Sequence, residues 1–282
     1  MKPALAPRAP VPLLPLVVVA LLGASALGCL GAVDPCRVSE PRSARLDAQG
    51  AQRLRVIAHA GGLRLQAVEG QGDLDVQGTA CASSADLLAR VRLETERVGQ
   101  ELVVRAVLPE GLTLGASSLD LTIEGPPALA LTVEDGSGVA EVAGFASLRI
   151  DDGSGDLIVN RIAGDVVIVD GSGSISVEDV GGSLRLEDGS GPVEIARVAG
   201  DVEVEDGSGD LAIREAQRDV TVLEDGSGDL EVTGVVGNVL VRDDGSGSIR
   251  VFGVGGDFRV DSDGSGSIDF DRVAGRVTVP RR

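Results

Sequence analysis

A four-residue phrase, Asp-Gly-Ser-Gly, recurs through the second half of this chain and constrains its fold more than any other feature. It occurs eight times in the 282 residues, at successive spacings of 17, 18, 18, 18, 19, 19 and 19 positions. The eight copies begin at Asp135, Asp152, Asp170, Asp188, Asp206, Asp225, Asp244 and Asp263. A period this regular is typical of an array in which each repeat is one structural unit stacked on its neighbours.

Between these phrases, apolar residues alternate with polar ones, so each repeat is predicted to hold two short β-strands with one buried face. The apolar positions of the second repeat are Leu157, Val159, Ile162, Val166 and Ile168. Equal spacing and identical turns favour one coil of a β-solenoid per repeat over a hairpin meander. We therefore expect an all-β fold, with a β-solenoid of about eight 17–19-residue coils and DGSG turns over residues 135–282.

The preceding region, residues 43–134, alternates in the same way but without the regular turns. Examples are Arg53-Leu-Arg-Val-Ile and Glu101-Leu-Val-Val-Arg. An open end of a solenoid exposes unpaired strand edges, which natural proteins cover. We expect this region to form degenerate coils and one or two longer strands that cap the solenoid.

The amino-terminal residues, 1–28, are predicted to be a signal peptide. A short basic region precedes an uncharged apolar run at residues 11–22, which has the length of a signal-peptide core and is too short to span a bilayer. Two cleavage sites compete after this run. Residues 24–26, Ala-Ser-Ala, suit ordinary signal peptidase, whereas residues 25–29, Ser-Ala-Leu-Gly-Cys, resemble a bacterial lipobox.

We favour the lipobox, in which Cys29 becomes the lipid-modified first residue of a protein anchored to the membrane. Ala26 fits the lipobox less well than leucine, so ordinary cleavage stays an alternative, as does an uncleaved anchor. Leu30 follows the cysteine, and a neighbour other than aspartate generally permits export to the outer membrane in Gram-negative lipoproteins. We expect an outer-membrane or cell-surface lipoprotein, otherwise a periplasmic or secreted protein, with residues 29–42 as a tether.

The cysteine count fits an exported protein. The chain has three cysteines, and lipid modification of Cys29 leaves two, Cys36 and Cys81. An even number in an oxidising compartment predicts a disulfide between them, with two unpaired buried thiols as the alternative. The spacing of the cysteines matches no zinc motif.

Composition excludes several classes of function. The net charge is −19, and the chain has no Trp and no Tyr, so neither nucleic-acid binding nor carbohydrate binding by ring stacking is expected. His59 is the only histidine, and no Gly-x-Ser-x-Gly nucleophile elbow is present. We expect a protein that is not an enzyme and needs no cofactor. A carbohydrate-active envelope enzyme that uses carboxylates alone is a second alternative.

Calcium is the first alternative. Stacked coils would place the eight DGSG aspartates in one column about 5 Å apart, where their mutual repulsion could be relieved by a hard cation with oxygen ligands. The weak candidate ligands are Asp135, Asp152, Asp170, Asp188, Asp206, Asp225, Asp244 and Asp263. Against this, calcium-binding repeat rolls carry aspartate in both turns of a nonapeptide, and this repeat does not. We favour an exposed, hydrated acidic ridge whose aspartates accept hydrogen bonds within their own turns.

The DGSG turns and the phrases Gly164-Asp165-Val166 and Gly200-Asp201-Val202 resemble the bacterial "putative adhesin" repeat domain. The resemblance is strong over residues 135–280 and weak before them. It implies a β-solenoid on secreted, membrane-tethered or lipid-anchored proteins, and it implies no catalytic residues. We expect a non-enzymatic cell-envelope scaffold or adhesin-like interaction module. Its partners would be the membrane, through the lipid anchor, and an unidentified basic or cation-bridged protein or surface.

Overall fold

The structure is a computed structural model that describes residues 36–109 and 116–281. The predicted signal peptide and Cys29 lie outside these residues. Within the described ranges, no helix has the length and apolar character needed to cross a membrane.

The first part of the chain forms seven strands and one short helix. They are β1 (Val38–Asp47), β2 (Arg53–Ile57), β3 (Leu63–Ala67), β4 (Asp73–Ala82), α1 (Ala85–Leu88), β5 (Arg92–Val98), β6 (Glu101–Val107) and β7 (Ser117–Gly125). The helix begins after Ser84, whose side chain accepts a hydrogen bond from the backbone N–H of Leu87. This arrangement is an ordinary serine N-cap.

The repeat region continues with short strands of similar length. They are β8 (Ala130–Asp135), β9 (Ala140–Ala143), β10 (Ser147–Asp152), β11 (Leu157–Ile162), β12 (Val166–Asp170), β13 (Ile175–Val180), β14 (Leu184–Asp188), β15 (Val193–Val198), β16 (Val202–Asp206), β17 (Leu211–Ala216), β18 (Val220–Asp225), β19 (Leu230–Val235), β20 (Val239–Asp244), β21 (Ile249–Val254), β22 (Phe258–Asp263), β23 (Ile268–Val273) and β24 (Val277–Thr278). The all-β solenoid predicted from the repeat is confirmed.

The strands form two sheets of 12 strands each. In the first sheet the order is β1-β4-β7-β3-β9-β11-β13-β15-β17-β19-β21-β23, and in the second it is β24-β22-β20-β18-β16-β14-β12-β10-β8-β2-β6-β5. Each repeat gives one strand to each sheet and pairs in parallel with the repeats on either side. The DGSG corner leads from the second sheet to the first. A second corner leads back, and we call it the Gly-Asp corner after phrases such as Gly164-Asp165 between β11 and β12.

The core lies between the two sheets and consists of columns of aliphatic side chains. Leu157, Val159 and Ile168, for example, have no exposed surface. In β11 the inward residues Val159 and Ile162 are separated by two positions rather than one. Arg161 between them has a left-handed φ of 54°, and this local bulge turns Ile162 back into the core.

Each DGSG corner depends on close approach of consecutive coils. Gly173 has a φ of 146°, which L side chains rarely adopt. A Cβ at this position would lie 1.7 Å from the carbonyl oxygen of Gly155 in the preceding coil. The glycine of this corner is therefore required by stacking itself.

The amino-terminal region caps the solenoid in an order that does not follow the chain. β2 and β3 form one coil, but β6 and β7 lie on its outer side while β8 and β9 lie on its inner side. Three antiparallel pairings, β1 with β4, β4 with β7 and β5 with β6, complete the ends of the two sheets. The predicted cap of degenerate coils and longer strands is thus present.

The predicted tether is partly structured. β1 begins at Val38, so residues 38–42 pair with β4 rather than forming a free linker. Pro41 is compatible with this pairing because β1 lies at the edge of its sheet, where a missing N–H breaks no second ladder. Cys36 and Cys81, which the cysteine count pairs, are joined by a disulfide with a Cα–Cα distance of 5.3 Å.

Candidate functional site: a buried aspartate ladder

The aspartate of every DGSG phrase is the last residue of a strand in the second sheet. In β16, Val202 and Val204 face the core, and Asp206 follows at the same two-residue period. Its register partners are Asp188 in one neighbouring coil and Asp225 in the other. The predicted column is confirmed. We call it the aspartate ladder: Asp135, Asp152, Asp170, Asp188, Asp206, Asp225, Asp244 and Asp263.

The change of repeat length from 18 to 19 residues preserves this register. A shift in pairing after Val204 lets β18 carry one extra residue before its aspartate, and Asp206 still pairs with Asp225. The additional residue is absorbed as a bulge, and the carboxyl group stays in the column. The fold therefore keeps the aspartate facing inward even where the strand length changes.

The expectation of an exposed acidic ridge is wrong, because seven of these aspartates are buried. Asp206 and Asp225 have no exposed surface, and even Asp135 retains only 8%. The physical reason is strand geometry: in strands such as β16 the aspartate lies two positions after an inward valine and points inward whatever its polarity, and in β18 the bulge returns it to the same face.

The hydrogen bonds predicted within the turns satisfy only part of the ladder. The Oδ1 atoms of Asp188 and Asp206 each accept a hydrogen bond of 3.2 Å, from the backbone N–H of Ser190 and of Ser208. Many buried carboxyl oxygens have no such partner: Oδ2 of Asp135, Asp188 and Asp206, and both oxygens of Asp152, Asp170, Asp225 and Asp244. Buried polar atoms in proteins are nearly always hydrogen-bonded, so this column requires an explanation.

Burial raises the pKa of the seven buried aspartates of the ladder. For Asp225 burial acts first and the charges of Asp244, Asp206 and Asp210 act next, raising its pKa to about 7. Burial, again followed by neighbouring acidic groups, raises the pKa to about 6 for Asp152, Asp188, Asp206 and Asp244. Burial also raises the pKa of Asp135 and of Asp170. These buried carboxyl groups therefore ionise less readily than an ordinary aspartate does.

The Gly-Asp corner carries a second column with the opposite environment. Asp219 Oδ1 accepts a hydrogen bond of 2.8 Å from the backbone N–H of Asn238 in the next coil. Asn238 Oδ1 in turn accepts one of 2.8 Å from Asp257 N, and Asp257 Oδ1 accepts one of 2.7 Å from Arg276 N. These side chains are exposed, and each links its coil to the next one.

The structure offers little geometry for a metal. Within the described ranges, no group of three or more His, Cys, Asp or Glu side chains converges as ligands would. Shallow surface depressions lie on β5 and β6, lined by residues such as Glu94 and Arg105, and no ladder aspartate lines them. His59, the only histidine, is exposed between β2 and β3. Calcium binding stays a prediction for titration to test.

No family model matches the chain, and no curated protein matches it. A solved structure of a "putative adhesin" from Parabacteroides distasonis is 14% identical, with a TM-score of 0.41, covering 86% of this chain and 97% of its own.

Two further solved structures are similar. A "putative cell adhesion protein" from Clostridium sporogenes is 15% identical with a TM-score of 0.39, covering 63% of this chain and 99% of its own. A "putative lipid binding protein" from Parabacteroides distasonis is 14% identical with a TM-score of 0.39, covering 86% and 97%. Of the three names, one is an adhesin, one a cell adhesion protein and one a lipid binding protein.

Proposed function

We propose that this protein is a non-enzymatic, adhesin-like module of the cell surface, whose rigid solenoid presents its outer faces to a partner. The observation that carries the proposal is the contrast between neighbouring rows of the first sheet. One inward row contains only aliphatic residues: Leu157, Ile175, Val193, Leu211, Leu230, Ile249 and Ile268. The adjacent outward row varies in chemistry from coil to coil: Ile158, Ser176, Glu194, Ala212, Glu231, Arg250 and Asp269.

A constant core with a varied surface is the arrangement that solenoid proteins use for binding. Each coil contacts only its neighbours, so outward residues can change without disturbing the stack. The outward side chains lie on flat parallel strands about 4.8 Å apart, which suits contact with an extended partner or surface. The net charge of −19 favours a basic or cation-bridged partner.

Attachment to the membrane through Cys29 belongs to the same proposal. Lipid modification at this cysteine would hold the solenoid at the envelope, with its faces outward. Replacing Cys29 by Ala should abolish labelling with a fatty-acid probe and release the protein from the membrane fraction. Retained labelling would contradict the lipobox interpretation.

The surface role is tested with cells that export the full chain. Antibodies should label intact cells, and these cells should attach to polylysine-coated glass more than cells without the protein do. Two double variants that make the same change of charge on opposite sheets locate the contact face. They are Glu194→Arg with Glu231→Arg on the first sheet, and Glu205→Arg with Glu224→Arg on the second.

We expect one of the two double variants to lose most of the added attachment while the other retains it, because a contact face occupies one side of the rod. Equal attachment by wild type and both variants would overturn the proposed role. Labelling only after the envelope is permeabilised would place the protein away from the surface and would also overturn it.

A further inference from the structure

The buried aspartates of the ladder are not neutralised by positively charged side chains. None of the ion pairs between described residues involves one of the seven buried aspartates from Asp135 to Asp244. A row of buried carboxylates about 5 Å apart, facing only one another, would be strongly unfavourable if all were ionised. Some other species must neutralise the column.

The choice of residue within the repeat points to that species. The Gly-Asp corner needs only a hydrogen-bond acceptor, and there Ser183 and Asn238 stand in the place that aspartate takes in other coils. The ladder is different, because all eight DGSG positions are aspartate and none is asparagine. Aspartate differs from asparagine, which has nearly the same shape, in being able to gain and lose a proton.

We propose that the aspartate ladder is a proton-binding column: at mildly acidic pH its carboxyl groups hold protons and share them from coil to coil, and release of these protons as the pH rises to neutral and above loosens the solenoid. In this arrangement the O–H of one carboxylic acid donates to an oxygen of the next aspartate along the column. Oxygens that otherwise have no partner are thereby satisfied, and the buried charge is removed.

The register brings successive ladder carboxyl groups next to each other. Asp244 pairs with Asp263 in β22, and burial, followed by the charge of Asp263, raises the pKa of Asp244. A proton on one member of such a pair would let its O–H donate to an oxygen of the other. The repeated register would extend the same contact along the column.

Charged groups from neighbouring elements act on the ladder at three places. Asp210, before β17, faces Asp225 and makes ionisation of the column harder. Asp243, in β20, acts in the same sense on Asp244. His59, between β2 and β3, favours the ionised form of Asp135 at the amino-terminal end. The middle of the column therefore holds its protons more firmly than this end does.

The sign of the pH effect follows from proton linkage. An aspartate in the unfolded chain has a pKa of 3.8, whereas the ladder aspartates with stated values reach about 6 to 7. Between about pH 4 and pH 7 the folded protein therefore holds protons that the unfolded chain has released. Its stability is highest on the acid side of this interval, falls as the pH rises through it, and levels off above it.

The test is thermal unfolding of the full chain, in chelator, at several values between about pH 4 and pH 8. We expect the wild-type midpoint to fall by about 10 °C or more across this range. Asp225→Asn should raise the midpoint at the alkaline end by about 4–8 °C and flatten the pH dependence, because it removes a carboxyl group that must ionise inside the protein. Asp188→Asn provides an independent second variant.

The matched control is Glu224→Gln, which makes the same isosteric change on the exposed neighbour of Asp225. We expect its midpoint and pH dependence to follow wild type. Infrared spectroscopy at mildly acidic pH gives a direct readout, since protonated carboxyl groups absorb apart from carboxylates. The protonated band should weaken in a triple variant, Asp188→Asn with Asp206→Asn and Asp225→Asn.

Three results would overturn the proposal. The first is a wild-type midpoint that stays level or rises between about pH 4 and pH 7. The second is a destabilised Asp225→Asn variant that keeps the full pH dependence. The third is a midpoint that rises with millimolar calcium while the protonated band is absent even at mildly acidic pH, which would make the column a cation site instead.

Discussion

The two corners of each coil stack the same kind of residue and give it opposite environments. At the DGSG corner, Asp225 ends a strand at an inward position and has no exposed surface. At the Gly-Asp corner, Asp219 precedes the same strand, is exposed and accepts a hydrogen bond from the next coil. Two aspartates a few residues apart thus belong to two columns, one buried and one exposed to solvent.

A third aspartate shows that position, not residue type, decides the chemistry. Asp229 lies four residues after Asp225, beyond the same corner, and 47% of its side chain is exposed. A hydrogen bond from the Arg250 side chain, and then one from the backbone of Ser248, holds its pKa below the usual value. Burial raises the pKa of Asp225 to about 7. The fold separates these two carboxyl groups by direction alone.

The largest expected effect is at the glycine of the DGSG corner. Gly173→Ala places a Cβ 1.7 Å from the Gly155 carbonyl oxygen, at a φ of 146° that alanine rarely adopts. Because both the space and the backbone conformation are incompatible, we expect a loss of about 3 kcal/mol or more in the free energy of unfolding. Denaturant unfolding measures it.

The matched variant at the other corner is Gly200→Ala. Its Cβ would also approach backbone, 2.5 Å from the Gly182 oxygen, but Gly200 has no left-handed φ, and Arg218 takes the equivalent place in the next coil. A corner that accepts arginine in one coil can adjust, so we expect a loss of about 1–2 kcal/mol. Equal losses at Gly173 and Gly200 would remove the structural distinction between the corners.

A smaller loss in the free energy of unfolding is expected at the exposed column of the Gly-Asp corner. Asp219→Ala removes the acceptor for Asn238 N and should lower the free energy of unfolding by about 1 kcal/mol. Asp219→Asn should cost less, since Asn238 performs the same task in the following coil. Chemical denaturation at acid and at neutral pH checks both variants.

Equal losses from Asp219→Ala and Asp219→Asn would mean that the side-chain acceptor is not what stabilises this corner.

The repeat made the solenoid predictable because its signals are local. Alternating residues such as Val202 and Val204 define strands, and the glycine turns recur at equal spacing, so coil number and strand count follow directly. The position of β6 and β7 outside β2 and β3 could not be predicted. It depends on which of several similar degenerate strands pair across the sequence, and no local pattern encodes that choice.

The repeat predicts that the DGSG aspartates form a column. The expectation that this column faces solvent is wrong, and the reason can be identified. Charged residues are rarely buried, but in a β-strand the two-residue alternation decides which face a residue points to. Counting by two from Val202 through Val204 reaches Asp206 and indicates the inward face. The unpartnered oxygens and the raised pKa follow from this direction, so parity was the signal that could have found the site.

The finest expected difference concerns the order in which the carboxyl groups titrate. Within the ladder Asp225 has the highest stated pKa, about 7, because Asp244, Asp206 and Asp210 all oppose its ionisation. NMR of side-chain carboxyl carbons should therefore show Asp225 losing its proton after Asp188 and Asp206, and long after Asp229. Arg250→Gln removes the main hydrogen bond to Asp229 and should raise the pKa of that carboxyl toward its usual value. Asp225 should titrate unchanged in this variant, since Arg250 is not among the groups that act on it. If the pKa values of Asp225 and Asp229 both changed in this variant, the two sides of the corner would be electrostatically coupled. The buried column would then not be electrostatically independent of the exposed surface.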